Sequence, residues 1–326
     1  MTTIVKVAKH CGLSKSTVSR FVSGRGYVSS ESQVKIEAAI QELGYIPNQI
    51  ARDFRSGSTK TIGFIAHGYF DLLGIFLNHF MQAANEYNYF VTLYLTDGDK
   101  NKEIEAFELL KQKKLDGIFI LTKANDWELI RKYTAYGPIS TWHKIDFEEI
   151  YSCSVDHYEG YEKALNYLYL ERHKQKIGHV LGYEQNKNTL TRLQAITDFY
   201  AKHDLILDEE WLLMGRGTAL QHDGRQVARK WFQAKNRPTA MIFHEDYIAG
   251  EFISELGYLN VEVPRDVSVI GCDNSDVSKL MNMTTIDYSF DKQARNSFFY
   301  LYNQLHQGAL EYAEISINLL KRQTVN

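Results

Sequence analysis

Residues 3–20, with the sequence TIVKVAKHCGLSKSTVSR, restrict the possible fold more than any other part of the chain. Two short amphipathic stretches meet at Gly12, which tolerates the left-handed backbone that a sharp helix end requires. Thr3 can cap the first helix and Ser14 the second. The second helix buries Val18 and its neighbours at i+3 and i+4, while its other face carries hydroxyl groups and cations. This pattern predicts a helix-turn-helix whose second helix lies in a DNA major groove.

The charge of the chain is unevenly distributed, and the imbalance favours the same interpretation. The first 60 residues contain nine Lys or Arg and four Asp or Glu, which gives +5, whereas the whole chain carries −3 and the remainder therefore −8. Two amphipathic helices around a glycine also occur in helical domains that never touch nucleic acid. A basic N-terminal segment on an otherwise acidic chain is typical of proteins that bind nucleic-acid phosphates through that segment alone.

A third helix completes a small N-terminal domain. Ser30 and Gln33 can form a capping box at its start, and Gly44 ends it. Three helices in so short a segment bury only a small core. The sequence therefore predicts a headpiece over residues 1–47. Its core is predicted to consist of Val7, Ala8, Leu13, Val18, Val22, Ile36, Ile40 and Leu43.

The segment that follows the headpiece is a hinge and linker, residues 48–59. Pro47 interrupts the chain, and Asn48 can cap a helix of barely two turns. A helix that short is not stable alone in water. Two interpretations remain open: a plain interdomain linker, or a segment that folds only on DNA and so acts as a switch.

From residue 60 onward, short β-branched or aromatic runs alternate with helical stretches, among them TIGFIA, DGIFIL, KIGHVL, TAMIF and VSVIG. Strands that alternate with helices indicate parallel sheets, and nearly continuous apolar strands indicate sheets covered on both faces. Ligands in such α/β folds bind beyond the carboxyl ends of the strands. Residues 60–326 are therefore predicted to form the ligand-binding body.

Composition excludes several classes of protein. With 326 residues, 44% of them apolar and 24% charged, the chain is predicted to be globular with two or three domains. Its three cysteines are far apart and odd in number, which favours reduced thiols in the cytoplasm. We expect no signal peptide, no membrane span, no metal site and no cofactor. No nucleophile elbow or Walker loop occurs, so no catalytic residue is predicted and an enzyme is not expected.

Several segments together resemble the lactose-repressor (LacI/GalR) family of bacterial transcription regulators, in the order and spacing of that family. They are VAKHCGLSKSTVSRFVSG, ELGYIPNQIARDFRSG, TKTIGFI, DGIFIL, TRLQAI, PTAMIF, VPRDVSVIGCDN and MTTIDY. The resemblance covers essentially the whole chain. It implies an α/β fold with a helix-turn-helix headpiece, a hinge helix and a body similar to periplasmic sugar-binding proteins.

The resemblance also implies how the body is divided. We expect an N-lobe over about 61–155 and 289–326, a C-lobe over about 156–288, three crossings between the lobes, and an effector in the cleft. Members of the family dimerise through the body and bind palindromic operators, as a two-fold pair of reading heads requires. The expected partners are double-stranded operator DNA, a small-molecule effector and a second copy of the chain, with no membrane.

The family's DNA contacts are carried over residue by residue. Lys15, Ser16 and Arg20 match the base-reading positions, and an Arg fork on guanine is the commonest specific contact. In the hinge, Phe54 matches an apolar wedge that kinks the minor groove, although an apolar side chain resting on the body would look the same in the sequence. The remaining expected contacts are Thr3, Ser14, Thr17, Ser23, Tyr27, Ser29, Asn48 and Ala51, most of them to phosphates.

For the effector, the resemblance places Arg192 and Asp273 in the cleft. An Arg fork can hold two vicinal hydroxyls of a sugar, and a carboxylate accepts hydroxyl protons. The other cleft positions depart from the family pattern, so the ligand's identity stays open. There the expected effector residues are His143, Glu245, His67 and Phe70.

The expected function is a repressor whose operator affinity is controlled by a sugar-type effector, a mono- or oligosaccharide. Three alternatives remain. The ligand could be a co-repressor, such as a purine or a sugar phosphate, or the body could bind a protein co-regulator. A more remote alternative is a sugar-binding protein without DNA function, which would leave the basic headpiece idle.

Overall fold

The computed structural model describes residues 2–23, 26–46, 58–69, 71–215 and 223–326. The first part is a bundle of three helices: α1 (Ile4–His10), α2 (Lys15–Ser23) and α3 (Ser30–Glu42). Val7, Val18 and Ile36 are fully buried at its centre, and the other predicted core residues pack in or around the same cluster. The backbone is left-handed at Gly12 and Gly44, as expected for helix ends.

The start of α3 differs from the predicted capping box. Ser29, not Ser30, is the N-cap, and its hydroxyl accepts a hydrogen bond from Ser32 N. Gln33 instead donates its side-chain amide to the Val28 carbonyl at 2.9 Å. Val28 is buried in the headpiece core, so packing fixes where the chain enters the helix and shifts the cap by one residue.

The N-lobe contains a five-stranded parallel sheet in the order β2-β1-β3-β4-β5. Its elements are β1 (Thr61–Ala66), α4 (Asp71–Glu86), β2 (Phe90–Leu95), α5 (Lys100–Lys111), β3 (Gly117–Ile120), α6 (Trp127–Ile130), β4 (Ile139–Thr141) and β5 (Ile150–Ser152). β1 and β3 are almost entirely buried, as strands covered by helices on both faces should be. Phe64, Phe76 and Phe119 form a stacked aromatic core beneath them.

The C-lobe contains a six-stranded sheet in the order β11-β10-β9-β8-β6-β7. Its elements are α7 (His157–Asn166), β6 (Ile177–Tyr183), α8 (Lys187–Lys202), β7 (Leu212–Gly215), α9 (Gly224–Gln233), β8 (Ala240–Phe243), α10 (Asp246–Tyr258), β9 (Ser268–Cys272), α11 (Asp276–Leu280), β10 (Thr284–Asp287) and β11 (Asn318–Leu320). All pairs are parallel except β10 with β11.

The chain passes between the two sheets after β5, after β10 and again after α12 (Phe290–His306), which packs on α4 in the N-lobe. The assignment of residues 318–326 to the N-lobe is wrong. β11 adds to the second sheet, with Leu319 opposite Ile286, and Thr324 Oγ1 donates to the Val269 carbonyl at 2.7 Å. The short strand covers the otherwise open edge of β10, which removes a row of unpaired backbone groups.

The predicted fold class is therefore confirmed: an α/β chain with a helix-turn-helix domain and two mostly parallel sheets. The carboxyl ends of β6, β8 and β9 point into the cleft between the lobes. The loops that follow these strands line one cavity together with residues of the N-lobe. Within the described ranges, no helix combines the length and apolarity needed to cross a bilayer.

Candidate functional sites

The outer face of α2 presents the predicted base-reading residues to solvent. Ser14 caps the helix, because its Oγ accepts a hydrogen bond from Thr17 N at 3.0 Å. Lys15, Ser16 and Arg20 are exposed on the helix that this cap begins. Hydroxyl groups and cations on a rigid, exposed helix are the groups that contact base edges and phosphates in a major groove.

The predicted phosphate contacts surround this helix. Thr3 caps α1 by accepting from Lys6 N, and Ser23 lies exposed at the end of α2. Tyr27 is 87% exposed, unusual for an aromatic side chain that has a core beside it, and Ser29 is exposed at the start of α3. Phosphate contacts at helix starts also use the positive end of the helix dipole.

Four of the predicted site residues lie outside the part of the chain that the structure describes. They are Asn48, Ala51, Phe54 and Phe70.

The cleft between the lobes consists of two adjoining cavities that share Asp273 and Phe290. The inner cavity has a volume of about 90 Å³ and the outer one about 510 Å³. The inner cavity is lined by Leu72, Trp142, His157, Gly182, Tyr183, Asn186, Asn188, Thr189, Arg192, His244, Glu245, Asp273 and Phe290. Three of the residues predicted from the sequence, Arg192, Asp273 and Glu245, therefore line the same cavity.

Arg192 is the buried cation of the inner cavity. It lies on α8 with 6% of its surface exposed, and its Nη2 is 3.1 Å from His157 Nδ1. Burial and the adjacent guanidinium lower the pKa of His157 well below its ordinary value, so the imidazole is neutral and accepts the bond. Arg192 Nε has no hydrogen-bond partner among the described residues. Since a buried donor without a partner is costly, this atom is suited to a ligand oxygen.

Two aromatic side chains accompany Arg192: Tyr288, which packs beside it and is fully buried, and Trp142, which lines the inner cavity. The centroid of the Tyr288 ring lies 4.2 Å from the centroid of the His157 ring. The same centroid is 5.8 Å from the guanidinium carbon of Arg192. Trp142 packs edge-on against Phe290 at 6.2 Å. Aromatic walls with a few polar anchors are typical of small-molecule sites.

Two carboxylates, Asp273 and Glu245, line the inner cavity together with Arg192 and can accept hydrogen bonds from a ligand. Asp273 follows β9, with φ at +104°, and its amide is held by the Ile286 carbonyl at 2.8 Å. Glu245 precedes α10, and its carboxylate is 3.6 Å from His244 Nε2. The next residue, Asp246, is buried and bonds Thr285 Oγ1 at 2.6 Å behind the cavity. Burial raises the pKa of Asp246 to about 6.

The two histidines predicted as effector ligands occupy other positions. Neither belongs to the described residues that line the two cavities. His143 is half-buried between Trp127 and Trp142 with its Nε2 atom inside, and burial together with Lys123 lowers the pKa of His143 to about 4. His67 is exposed, and its backbone amide is bound by Thr122 Oγ1 at 2.6 Å. Both lie in loops after N-lobe strands, at positions that the family resemblance places in the cleft.

Sequence reasoning missed other cleft residues. His157 is the first residue of α7, Asn186 is the N-cap of α8, and Asn188 lies in the first turn of α8. Tyr288, which follows β10, packs beside Arg192. The asparagines follow a strand end, so the rule for parallel sheets could have found them. His157 reaches the cleft only through lobe packing, for which the sequence carries no local signal. Within the described ranges, no three His, Cys, Asp or Glu side chains group as metal ligands would.

Comparisons with known proteins identify the two domains in which these candidate sites lie. The family model for "Bacterial regulatory proteins, lacI family" matches residues 3–48, and that for "Periplasmic binding protein-like domain" matches residues 167–325. The NTD biosynthesis operon regulator NtdR of Bacillus subtilis (strain 168) is 34% identical over 298 residues, which cover 88% of each chain. The protein belongs to the lacI family of bacterial transcription regulators, as the resemblance predicted, and consists of a helix-turn-helix DNA-binding domain and an effector-binding body.

Two solved structures show the same fold at lower identity. The lac repressor dimer bound to operator and the anti-inducer ONPF superposes with a TM-score of 0.80 at 22% identity, covering 99% of this chain and 98% of that one. A LacI family regulator from Lactobacillus casei with bound sucrose has a TM-score of 0.71 at 21% identity, covering 81% and 99%.

Proposed function

We propose that the protein is a homodimeric cytoplasmic repressor that binds a palindromic operator through α2 and responds to a sugar-type effector in the cleft. The observation that carries the DNA-binding part is the exposed face of α2, where Lys15, Ser16 and Arg20 follow the Ser14 cap on a domain with its own core. In this proposal Arg20 reads a guanine and Lys15 and Ser16 read neighbouring bases. Asn48, Ala51 and Phe54 are proposed to contact the operator from the hinge.

The chemistry of the cleft supports a polyhydroxyl effector. Arg192 supplies a buried Nε donor that has no partner among the described residues, Asp273 and Glu245 supply acceptors, and Trp142 supplies an apolar wall. Sugars are bound by this mixture of guanidinium donors, carboxylate acceptors and flat apolar surface. The solved Lactobacillus casei relative is described with bound sucrose, which is in line with the same class of ligand.

The charges of the cleft support a neutral sugar over a sugar phosphate. The outer cavity adds Asp276, Asp287 and Asp291 to Asp273, and its Lys279 is already paired with Asp276 at 3.0 Å. A phosphate would have to approach several carboxylates with Arg192 as its main cation, which is electrostatically unfavourable. A purine or phosphate co-repressor is therefore the less favoured alternative.

Exposed apolar residues on one edge of the N-lobe support dimerisation. β2 is the edge strand of its sheet, and Phe90, Leu93 and Leu95 are 73%, 37% and 45% exposed. Met81 on the adjacent α4 is 41% exposed. An apolar edge of this kind is usually covered, and a second copy of the chain would do so with the two-fold symmetry that a palindromic operator requires.

The effector is proposed to act through the lobes. It binds one arrangement of the lobes more tightly than the other, and the favoured arrangement spreads the two hinge segments so that operator affinity falls. The size of the response is limited by the difference between the effector's affinities for the two states. A co-repressor would instead increase operator affinity, and a protein co-regulator would leave small molecules without effect.

The test is selection of operator DNA from a pool of random duplexes by the full-length protein. We expect enrichment of a two-fold symmetric site. On that duplex, Arg20→Ala should lose about 1–3 kcal/mol of binding free energy and relax specificity at one base pair of each half-site. A chain that enriches no sequence would support the sugar-binding protein without DNA function.

Lys35 provides the matched control. It is an exposed headpiece cation, but its ammonium is paired with Glu31 at 2.7 Å on α3. Lys35→Ala should change operator affinity by about twofold or less, as surface substitutions usually do. Equal losses for Lys35→Ala and Arg20→Ala would mean that the headpiece contributes general charge and not base reading.

A further inference from the structure

The first residues described after the hinge segment are fastened to the N-lobe by one carboxylate. Asp116, which lies just before β3, accepts hydrogen bonds from Thr59 N at 2.8 Å, Thr59 Oγ1 at 2.9 Å and Lys60 N at 3.0 Å. The Ser58 hydroxyl donates to the same carboxylate at 2.5 Å. Four donors on one charged group make a fixed attachment, because hydrogen bonds to a charge are stronger than neutral ones.

A second set of contacts holds the side chain of Lys60. Its Nζ lies 4.4 Å above the Tyr89 ring and 3.2 Å from His306 Nε2, and the Tyr89 hydroxyl is 2.8 Å from the same imidazole nitrogen. The Lys60 carbonyl accepts from Phe90 N at 2.8 Å, the first residue of β2. Residues 58–60 are thus bound to the loop before β3, to the start of β2 and to the end of α12.

The backbone of Lys60 indicates that this position is fixed by its surroundings. Its φ is +53°, in the left-handed region of the backbone that residues other than glycine rarely adopt. Such a conformation persists only where neighbouring contacts over-determine it, and it is found preferentially at functional sites. Here the contacts are those of Asp116, Tyr89 and His306.

We propose that Asp116, Tyr89 and His306 form a linker anchor that sets operator affinity by fixing the point where the hinge segment leaves the body. The inference rests on the proposed DNA-binding function. None of the three side chains has to touch DNA. A fixed exit point removes part of the ordering entropy that a free linker would lose on binding, and it raises the effective concentration of each headpiece at its half-site.

The test compares Asp116→Ala with a control that loses a similar structural bond elsewhere in the N-lobe. Asp99 caps α5 by accepting from Asn101 N at 2.7 Å and Lys102 N at 3.3 Å, two residues of its own helix and far in sequence from residues 58–60. Full-length variants are measured for affinity to the operator duplex selected by wild type, for thermal unfolding, and for hydrogen exchange of the amides of Thr59 and Lys60.

Asp116→Ala should bind the operator about tenfold more weakly, the size expected for loss of charge-assisted hydrogen bonds, and the two amides should exchange faster. Asp116→Asn keeps one carbonyl acceptor and should fall between wild type and Ala. Asp99→Ala should lose thermal stability comparably but keep operator affinity within about twofold.

Two results would overturn the anchor while leaving DNA binding intact. One is an operator affinity of both Asp116 variants within about twofold of wild type. The other is an equal loss of affinity in Asp99→Ala, because operator affinity would then follow general stability. If wild type itself selects no duplex, the proposed function and the anchor both fail.

Discussion

The headpiece and the cleft build their sites in opposite ways. In the headpiece, functional groups are exposed and are held by neighbours in sequence, as with Ser14 and Thr17, three residues apart. In the cleft, Arg192 is buried and is held by His157, 35 residues away, and by Tyr288, the residue after β10. One site is made by local structure, the other by the packing of distant segments.

This difference has an energetic consequence. An exposed cation on α2 remains solvated whatever its neighbours do, so changing one of its supports costs little. A buried guanidinium without its partners keeps the whole desolvation cost, so changes around Arg192 should be large. The following predictions test the contrast, from the largest expected effect to the smallest.

Acid should destabilise the body through its buried histidines. Burial lowers the pKa of His143 to about 4 and of His179 to about 3, and burial with Arg192 lowers that of His157 well below its ordinary value. Below about pH 6.5 the unfolded chain takes up protons at these sites and the folded chain does not, so stability present at neutral pH is lost as the pH falls. From pH 7 to pH 5 each histidine accounts for about 2 kcal/mol.

Asp246 opposes this trend. Burial raises its pKa to about 6, so the folded body binds a proton there before the unfolded chain does and regains about 1 kcal/mol between pH 7 and pH 5. The net loss from these four groups should therefore be at most about 5 kcal/mol. All four tryptophans lie in the body, so urea unfolding followed by tryptophan fluorescence reports on it alone. Stability that stays constant or rises toward pH 5 would contradict the prediction, and His179→Gln should reduce the loss.

Arg192→Met should abolish tight effector binding while operator binding without effector is retained. The substitution keeps much of the side-chain volume but removes the Nε donor, which no described residue binds. We expect affinity to fall at least about a hundredfold, about 2.7 kcal/mol. The ligand comes from a thermal-shift screen of the full-length protein against neutral sugars, sugar phosphates and purines, in which saturation at 100 times Kd stabilises by about 2.7 kcal/mol.

Arg229 is the control for that experiment. It is an exposed arginine of the C-lobe, paired with Glu255 at 2.7 Å on the surface of α9 and α10. Arg229→Met should leave ligand affinity unchanged. If Arg192→Met binds the same ligand as tightly as wild type does, the ligand site lies elsewhere than the inner cavity.

The smallest effect is expected in the headpiece. Ser14→Ala removes the acceptor for Thr17 N and should reduce headpiece stability by about 1 kcal/mol, which is the usual value of an N-cap. Hydrogen exchange of the α2 amides measures it. Ser23, at the other end of α2, donates to the Arg20 carbonyl three residues earlier and does not cap the start of a helix, so Ser23→Ala should be nearly neutral. Equal effects of the two changes would refute the capping role of Ser14.

The same difference explains what could be predicted from the sequence. Helix stops at Gly12 and Gly44 and the caps at Thr3 and Ser14 follow from local chemistry, and the structure has all four. The cap of α3 was misplaced by one residue because burial of Val28, a tertiary contact, decides it.

In the body, sequence pattern identified the class of fold and the cleft side of the sheet, but not every partner. Arg192 and Asp273 were found through family resemblance. His157 was missed because its role depends on α7 meeting α8 and β10. β11 was missed because a three-residue strand has too short a pattern, and only the uncovered edge of β10 gives it a place.

One helix joins the two regions in which the body does its work. α12 has 17 residues and is about 25 Å long. Phe290, its first residue, lines both cavities, and His306, its last, contacts Lys60 beside the hinge segment. Because an unbroken helix behaves as a stiff strut, a translation along its axis at one end is carried undiminished to the other. A movement of the wall at Phe290 along this axis is therefore also a displacement beneath Lys60.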